Sequence, residues 1–181
     1  QQVSQNRNEE LIWFLEHKSV YTCGVNFNQK DVLDKSVKIV KTNRGGKITW
    51  HGPGQLICYF VLDISKRKKD IRKFITAIEN SIIETLKDFK ISSFSDRKNI
   101  GIWVLDKKEE KKIAAIGFRV KKWIAFHGFS LNLSNNLDSY KKIIPCGISD
   151  KGISKIDNFK KISKDKIINR LKINLIKNLK Y

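Results

Sequence analysis

A cysteine in a turn and a lysine at the start of an apolar segment are the side chains here best suited to covalent chemistry. Cys146 lies in the segment Ile143-Ile144-Pro145-Cys146-Gly147, where proline and glycine predict a turn that lifts the thiol out of a regular element. A thiol attacks as its thiolate, and a free thiol titrates near ~8.5, so a nearby cation is needed. Lys112 directly precedes the apolar segment Ile113-Ala114-Ala115-Ile116-Gly117, where it would be partly desolvated and held in place. There it would favour the thiolate and exchange protons with it.

Three histidines are alternative bases. His51 and His127 each precede a glycine in a loop-like or strand-end setting, and His17 is also available. The sequence leaves open which of these side chains, or Lys112, lies beside the thiol.

The remaining cysteines have no chemical role in this reading. Cys23 and Cys58 have apolar neighbours and are predicted to be small core residues. Three cysteines, widely spaced and odd in number, fit neither a disulfide framework nor a zinc site, so we expect no metal.

The run Arg44-Gly45-Gly46-Lys47-Ile48-Thr49-Trp50-His51-Gly52-Pro53-Gly54-Gln55 is the second candidate site. Glycine admits positive φ and close approach of another molecule to the main chain. Strand-like segments at 37–40 and 56–62 flank the run, which predicts a loop held by a rigid scaffold, the usual place for a binding site. A glycine-rich hairpin without function is the alternative interpretation of this stretch.

The elements that position these residues can be read from hydrophobic periodicity. Leu11 to His17 predicts a buried strand, with a turn at residues 21–24. A helix capped by Asp70 and a final helix near residues 165–179 each show one apolar face. Between them, three strand-like segments with short connections predict antiparallel neighbours, at 100–105, 113–120 and 123–133. The pattern predicts a single α+β domain over residues 1–181.

Composition narrows the class of protein and its partners. The 181 residues are 30% charged and 40% hydrophobic, which is typical of globular domains, and their net charge is +19. Charge alone would allow a nucleic-acid partner, but the lysines are scattered in pairs and arginine is scarce, so we expect no nucleic acid as a partner. No apolar run approaches the ~20 residues needed to cross a bilayer, and we expect no membrane as a partner either. No secretory signal is visible, which makes the cytoplasm the default location. The chain begins Gln1-Gln2 and contains no methionine, so we interpret it as N-terminally truncated.

Several of these motifs occur together in an order that resembles lipoyl(octanoyl) transferases, also called the lipoate-protein ligase B family. The resemblance covers roughly residues 10 to 157 and rests on the Arg44–Gln55 run, Lys112-Ile113-Ala114-Ala115-Ile116-Gly117, His127-Gly128 and Pro145-Cys146-Gly147. Trp50 stands where that family usually has tyrosine, and Ser130 replaces a usual alanine. The resemblance implies a biotin/lipoate-protein-ligase-like, class II synthetase-like fold, with a mixed, mostly antiparallel sheet and packed helices.

The same resemblance implies an activity and a set of site residues. Octanoyl would pass from octanoyl-acyl carrier protein to one lysine of a lipoyl domain, in 2-oxoacid dehydrogenase complexes or the glycine cleavage H protein, without ATP or another cofactor. Cys146 would carry the acyl thioester and Lys112 would favour its thiolate. Substrate would be bound by Arg44, Gly45, Gly46, Lys47, Ile48, Thr49, Trp50, His51, Ala115, Ile116, Gly117, Gly128, Phe129 and Ser130. An apolar slot for the octanoyl tail would be formed by Ile48, Trp50, Ile116 and Phe129.

Two alternatives stay open at this stage. An ATP-dependent lipoate or biotin ligase of the same fold would activate a free acid as its adenylate and would need no cysteine nucleophile. An inactive, basic binding fragment is the other.

Overall fold

The computed structural model describes residues 9–148 and 150–180. Within that part of the chain the strands are β1 (Leu11–Leu15), β2 (Val20–Cys23), β3 (Ile39–Lys41), β4 (Ile48–His51), β5 (Gln55–Asp63), β6 (Phe94–Ser95), β7 (Ile102–Asp106), β8 (Glu109–Ile116), β9 (Arg119–Lys121), β10 (Ile124–Asn132) and β11 (Gly152–Ile153). The helices are α1 (Ile71–Asp88) and α2 (Lys164–Asn178).

The larger sheet has the strand order β1-β5-β10-β8-β7-β6, with β9 beside β10 and β11 beside β8. Its neighbours pair antiparallel apart from β11, which runs parallel to β8. The predicted mostly antiparallel α+β architecture is therefore confirmed. Strand β10 is central to the site, because its residues pair with β5 on one side and with β8 on the other.

Both helices cover one face of this sheet. Asp70 caps α1 by accepting a hydrogen bond from the Lys73 N–H, as its side chain and position predict. The apolar stripe of α1, including Phe74 and Ile82, is fully buried in one cluster with the sheet and with Leu171 of α2. The predicted core faces of the two helices are thus confirmed.

Alternation along β5 gives the sheet two different faces. Leu56, Cys58 and Phe60 belong to the core cluster under the helices. Ile57 and Tyr59 point to the opposite side, because successive side chains of a strand alternate across the sheet. That second face is the one that builds the site.

A smaller sheet of order β3-β2-β4 faces this second side. Two sequence predictions are corrected here. Residues 21–23, predicted as a turn, pair in β2, and residues 48–51 of the glycine-rich run form β4 rather than loop. All four residues of β4 are buried, so pairing with β2 and burial override the local effect of the flanking glycines.

Strand β1 is also less buried than its apolar sequence predicts. It lies at the edge of the larger sheet and pairs with β5. Leu11 and Trp13 are 52% and 58% exposed, while Ile12 and Phe14 pack against the core. Among the described residues, no helix is long and apolar enough to cross a bilayer.

Candidate active site

A mostly apolar cavity of about 140 Å³ lies between the two sheets. The smaller sheet and its loops form one wall, and the second face of β5, β8 and β10 forms the other. The cavity is lined by Thr22, Thr42, Arg44, Gly45, Gly46, Lys47, Thr49, His51, Ile57, Tyr59, Ala115, Ile116, Gly117, His127, Gly128, Phe129, Ser130 and Cys146.

Most of the residues singled out in the sequence meet at this cavity, although they come from four separate segments. The glycine-rich run, the 115–117 segment, the 128–130 segment and Cys146 all contribute to the lining. Ile48 and Trp50 do not. Their side chains belong to a second core cluster with Tyr140 and Ile143. Ile116 and Phe129 border the cavity, but they pair with each other and Phe129 pairs with Cys58, so their side chains lie on the core face under the helices, and Ile57 is the aliphatic residue of β5 that faces the cavity.

Cys146 lies at the first central position of a tight turn. Its backbone has φ 58° and ψ 11°, Gly147 follows with φ 68°, and the Ile148 N–H donates to the Pro145 carbonyl at 3.1 Å. Positive φ at both central residues is the geometry of a type I′ turn. A non-glycine residue in this region costs about 1–2 kcal/mol, and strain of this kind concentrates at functional sites. The turn predicted from Pro145 and Gly147 is present, and it places a half-buried thiol on the cavity wall.

The guanidinium of Arg44 braces the loop in front of β4. It donates to the carbonyls of Thr22 at 2.8 Å, Gly45 at 2.8 Å and Lys47 at 2.7 Å. Burial lowers the pKa of Arg44, and the charge on the Cys146 sulfur opposes that shift. Arg44 therefore fixes the backbone of the loop and contributes positive potential to the thiol.

Glycine backbone connects this loop to the larger sheet. The Gly45 N–H donates to the Gly117 carbonyl at 3.1 Å, and the Gly117 N–H donates to the Gly128 carbonyl at 2.9 Å. A Cβ at position 45 would lie 2.7 Å from the Phe118 carbonyl oxygen, so a larger residue would push the two walls apart. These bonds set the width of the cavity.

His51 is held at the cavity by a buried amide network. Gln55 is fully buried, and its Nε2 donates to Asn132 Oδ1 at 2.8 Å and to the Tyr140 hydroxyl at 2.7 Å. Its Oε1 is then the acceptor for His51 Nδ1 at 2.7 Å, which assigns the proton to Nδ1 and the lone pair to Nε2. Burial lowers the pKa of His51 to about 4, against a smaller opposing effect of Gln55, so the ring is neutral at pH 7.

Lys112 lies on β8 and is not among the residues that line the cavity. It is 4% exposed, its Nζ donates to the Ile100 carbonyl at 3.0 Å, and the ammonium lies 4.8 Å from the centre of the Trp103 ring. Within residues 9–148 and 150–180, no hydrogen bond joins it to the Cys146 sulfur. The burial predicted for Lys112 is confirmed, while the Cys146–Lys112 pairing stays a prediction.

The other two histidines differ in their relation to the cavity. His127 lines it with φ 67° and is hydrogen-bonded through Nε2 to Asn43 Oδ1 at 2.7 Å. Burial, with help from Arg44 and Arg119, lowers the pKa of His127. His17 is bonded to the Tyr59 hydroxyl at 2.7 Å and is not among the lining residues.

Sequence reasoning did not assign Thr22, Thr42, Ile57 or Tyr59 to the site. Tyr59 carried a usable signal, because it places a hydroxyl inside an otherwise apolar strand and buried tyrosines usually bond that hydroxyl. The two threonines carried none, since a threonine in a strand is common without function.

Taken together, a thiol in a strained turn lies on the wall of a mostly apolar cavity of about 140 Å³. The family model for the lipoyl protein ligase A/B catalytic domain matches residues 1–176 of this chain. The chain belongs to that family. The resemblance found in the sequence is therefore confirmed, and this member of the lipoyl protein ligase A/B family can be compared with its relatives.

Three curated relatives share the name octanoyltransferase. An octanoyltransferase of Wolbachia pipientis subsp. Culex pipiens (strain wPip) is 46% identical over 158 residues, which cover 87% of this chain and 77% of the relative. The octanoyltransferases of Ehrlichia chaffeensis and Novosphingobium aromaticivorans are 45% and 42% identical, covering 82% and 85% of this chain and 70% of each relative.

Solved structures agree with the fold. The bi-partite lipoate protein ligase of Thermoplasma acidophilum, described with its E2 lipoyl domain, has a TM-score of 0.76 at 15% identity and covers 95% of this chain and 72% of its own. A lipoate-protein ligase A bound with ATP has a TM-score of 0.74 at 16% identity, covering 95% and 73%. The biotin/lipoate-protein-ligase-like fold implied by the sequence is thus confirmed.

Proposed function

We propose that this protein is an octanoyltransferase of lipoate biosynthesis, which moves an octanoyl group from octanoyl-acyl carrier protein to a specific lysine of a lipoyl domain. The observation that carries the proposal is the Cys146 thiol in its strained turn on the wall of an apolar cavity. Relatives named octanoyltransferase at 42–46% identity support the acyl group and the reaction class.

In the first step the Cys146 thiolate attacks the carbonyl carbon of the carrier thioester. A bond forms between the Cys146 sulfur and that carbon, the bond to the carrier sulfur breaks, and the carrier thiolate leaves and takes up a proton. Ile57, Ala115 and the ring of Tyr59 would hold the octanoyl tail, because apolar walls exclude water from a chain of methylene groups.

In the second step the amine of the lipoyl-domain lysine attacks the enzyme thioester. A carbon–nitrogen bond forms, the bond to the Cys146 sulfur breaks, and the amine loses a proton as it becomes an amide. One thioester replaces another in the first step and an amide replaces a thioester in the second, so neither step needs ATP.

Lys112 is the proposed proton shuttle: its ammonium gives a proton to the leaving carrier thiolate in the first step, and the neutral amine then accepts the proton that the lipoyl-domain lysine loses in the second. It is buried on β8, the strand that also supplies Ala115 and Ile116 to the cavity, and its ammonium has a backbone carbonyl and an aromatic face as partners. To exchange a proton with Cys146, it must replace its contact with Ile100 or Trp103 by one with the sulfur. A thiolate on Cys146 would favour that exchange, since it attracts the ammonium more strongly than a neutral carbonyl does.

The proposed partners are octanoyl-acyl carrier protein and the lipoyl domains of 2-oxoacid dehydrogenase complexes and of the glycine cleavage H protein. The net charge of +19 supports association with acidic partners through electrostatic steering. Steering predicts that the transfer rate falls with ionic strength, and a rate independent of salt would contradict it. Cytoplasmic location and the absence of a cofactor stay predictions from the sequence.

Mass spectrometry of the protein mixed with octanoyl-acyl carrier protein tests the proposal. We expect a mass increase of one octanoyl group on the peptide that contains Cys146, formed without ATP. Cys146→Ala should lose both the adduct and the transfer, whereas Cys23→Ala, which removes another free but buried thiol, should keep both. Transfer by Cys146→Ala would overturn the covalent mechanism, and activity that requires free octanoate and ATP would identify a ligase instead.

A further inference from the structure

The side chain of Lys47 lies directly across the turn that presents the thiol. Its Cδ and Cε are 2.7 and 3.0 Å from the position that a Cβ on residue 147 would take, and its Nζ is closer still. Gly147 follows Cys146 in the chain, and Lys47 and Cys146 both line the cavity. The ammonium of Lys47 is therefore held against the backbone that carries the reactive sulfur.

This ammonium differs from the lysines around it in having no acidic partner. Three other lysines near the same loop form ion pairs, namely Lys141 with Asp138, Lys142 with Asp34 and Lys151 with Glu110. In the described part of the chain, no ion pair or hydrogen bond occupies the Nζ of Lys47. Its charge is left uncompensated next to the thiol turn.

The other cations of the site have their donors engaged. Arg44 donates hydrogen bonds to Thr22 and to the carbonyls of its own loop. Lys112 donates to Ile100 and lies on Trp103. The N–H donors of Lys47 are therefore available to a negative charge that develops at the cavity wall.

We infer that Lys47 is a second cation of the active site, which stabilises the thiolate of Cys146 and positions it for attack. The inference rests on the proposed use of Cys146 as the nucleophile. The other charged and titratable groups that line the cavity with the thiol are Arg44 from the loop before β4, His51 from β4, Tyr59 from β5 and His127 from β10. The buried Tyr140 hydroxyl also responds to the thiol, since its pKa is raised by burial and by the Cys146 charge.

Gly147 has a specific place in this arrangement. A side chain at position 147 would occupy the space that the Lys47 methylene groups and ammonium fill, and φ of 68° would also be strained for any other residue. The absence of a side chain at Gly147 therefore leaves the space in which the Lys47 side chain packs against the turn. Removing the ammonium or blocking its position should produce the same chemical defect.

The rate of Cys146 alkylation by iodoacetamide, measured from pH 6 to 9 and located by peptide mass spectrometry, tests the inference. A neighbouring opposite charge favours a thiolate by about tenfold or more, partly offset by its lower nucleophilicity, so we expect Lys47→Gln to slow alkylation at pH 7 by about three- to tenfold. The pH profile should move to higher pH. Lys47→Arg should keep most of the rate, and Lys73→Gln, which removes an exposed lysine of α1, should match the unmodified protein.

Gly147→Ala provides a second route to the same result. It should slow alkylation as Lys47→Gln does, and the double variant should be no slower than either single one, because both remove one interaction. Superimposable profiles for Lys47→Gln and Lys73→Gln would overturn the inference. Alkylation needs no octanoyl donor, so a slowed Lys47→Gln in a protein that forms no octanoyl adduct would support the role of Lys47 and refute the proposed function.

Discussion

The neutral His51 ring should make the protein lose stability between pH 7 and pH 4. His51 is buried, and its Nδ1 donates to Gln55 Oε1, whose orientation is fixed by Asn132 and Tyr140. Burial lowers the pKa of His51 from 6.5 to about 4. Because the folded pKa is depressed, the unfolded chain takes up a proton first as pH falls, and folding loses free energy.

The two pKa values set the size of this loss. The contribution of His51 is fully present above pH 6.5 and is lost as pH falls through 4. Linkage gives a loss of about 2 kcal/mol at pH 5 and about 3 kcal/mol at pH 4, relative to a protein whose residue 51 does not titrate. A change of that size is a large part of the stability of a domain of this length.

Urea unfolding at pH 7, 5 and 4 measures the effect, with His51→Gln as the reference. A glutamine can still donate to Gln55 Oε1 but cannot be protonated in this range. The carboxylates and His127 titrate in both proteins, so the difference between the two free energies of unfolding isolates residue 51. We expect the unmodified protein to lose about 3 kcal/mol more than the variant between pH 7 and pH 4. Parallel pH curves for the two proteins would show that His51 is not held neutral by burial.

Two further predictions concern the backbone around the cavity. Gly128→Ala should destabilise the protein by about 2 kcal/mol or more in urea unfolding, because the added Cβ would collide with the Cys58 carbonyl oxygen between β10 and β5. Gly152→Ala, whose Cβ would meet Lys111 at an ordinary 3.4 Å, should change stability by less than about 0.5 kcal/mol, and equal effects of the two would contradict this account. Arg44→Lys should cost about 2 kcal/mol or more and speed hydrogen exchange of the loop amides, since a lysine cannot reproduce the fork of donors to three carbonyls. Unchanged exchange in that loop would remove the bracing role of Arg44.

Local sequence patterns predicted much of the secondary structure. The apolar stripe of α1 and its Asp70 cap follow from a 3.6-residue period and a residue type, both of which act within a few positions. Strand β4 was missed because its pairing partner, β2, lies more than twenty residues earlier in the chain. The glycines on either side of β4 favour a loop locally, and the pairing that outweighs them is a non-local interaction.

The site shows the same division. Proline and glycine around Cys146 act on the backbone next to them, so the turn could be predicted from the residues themselves. Ile48 and Trp50 were expected at the acyl chain, but β4 turns them toward Tyr140 and Ile143. A one-residue change of register would reverse those faces, and register is set by pairing and burial rather than by residue type.

The sequence by itself determined the α+β class, the helices and the turn around Cys146, because each depends on residue types within a short window, whereas the set of segments at the cavity followed from the resemblance to a family. Tertiary structure alone decided that Ile57 and Tyr59 form the cavity wall, that Lys112 lies against Ile100 and Trp103, and that Lys47 reaches across Gly147. These contacts join residues distant in sequence, and their free energy depends on how the two sheets pack as a whole.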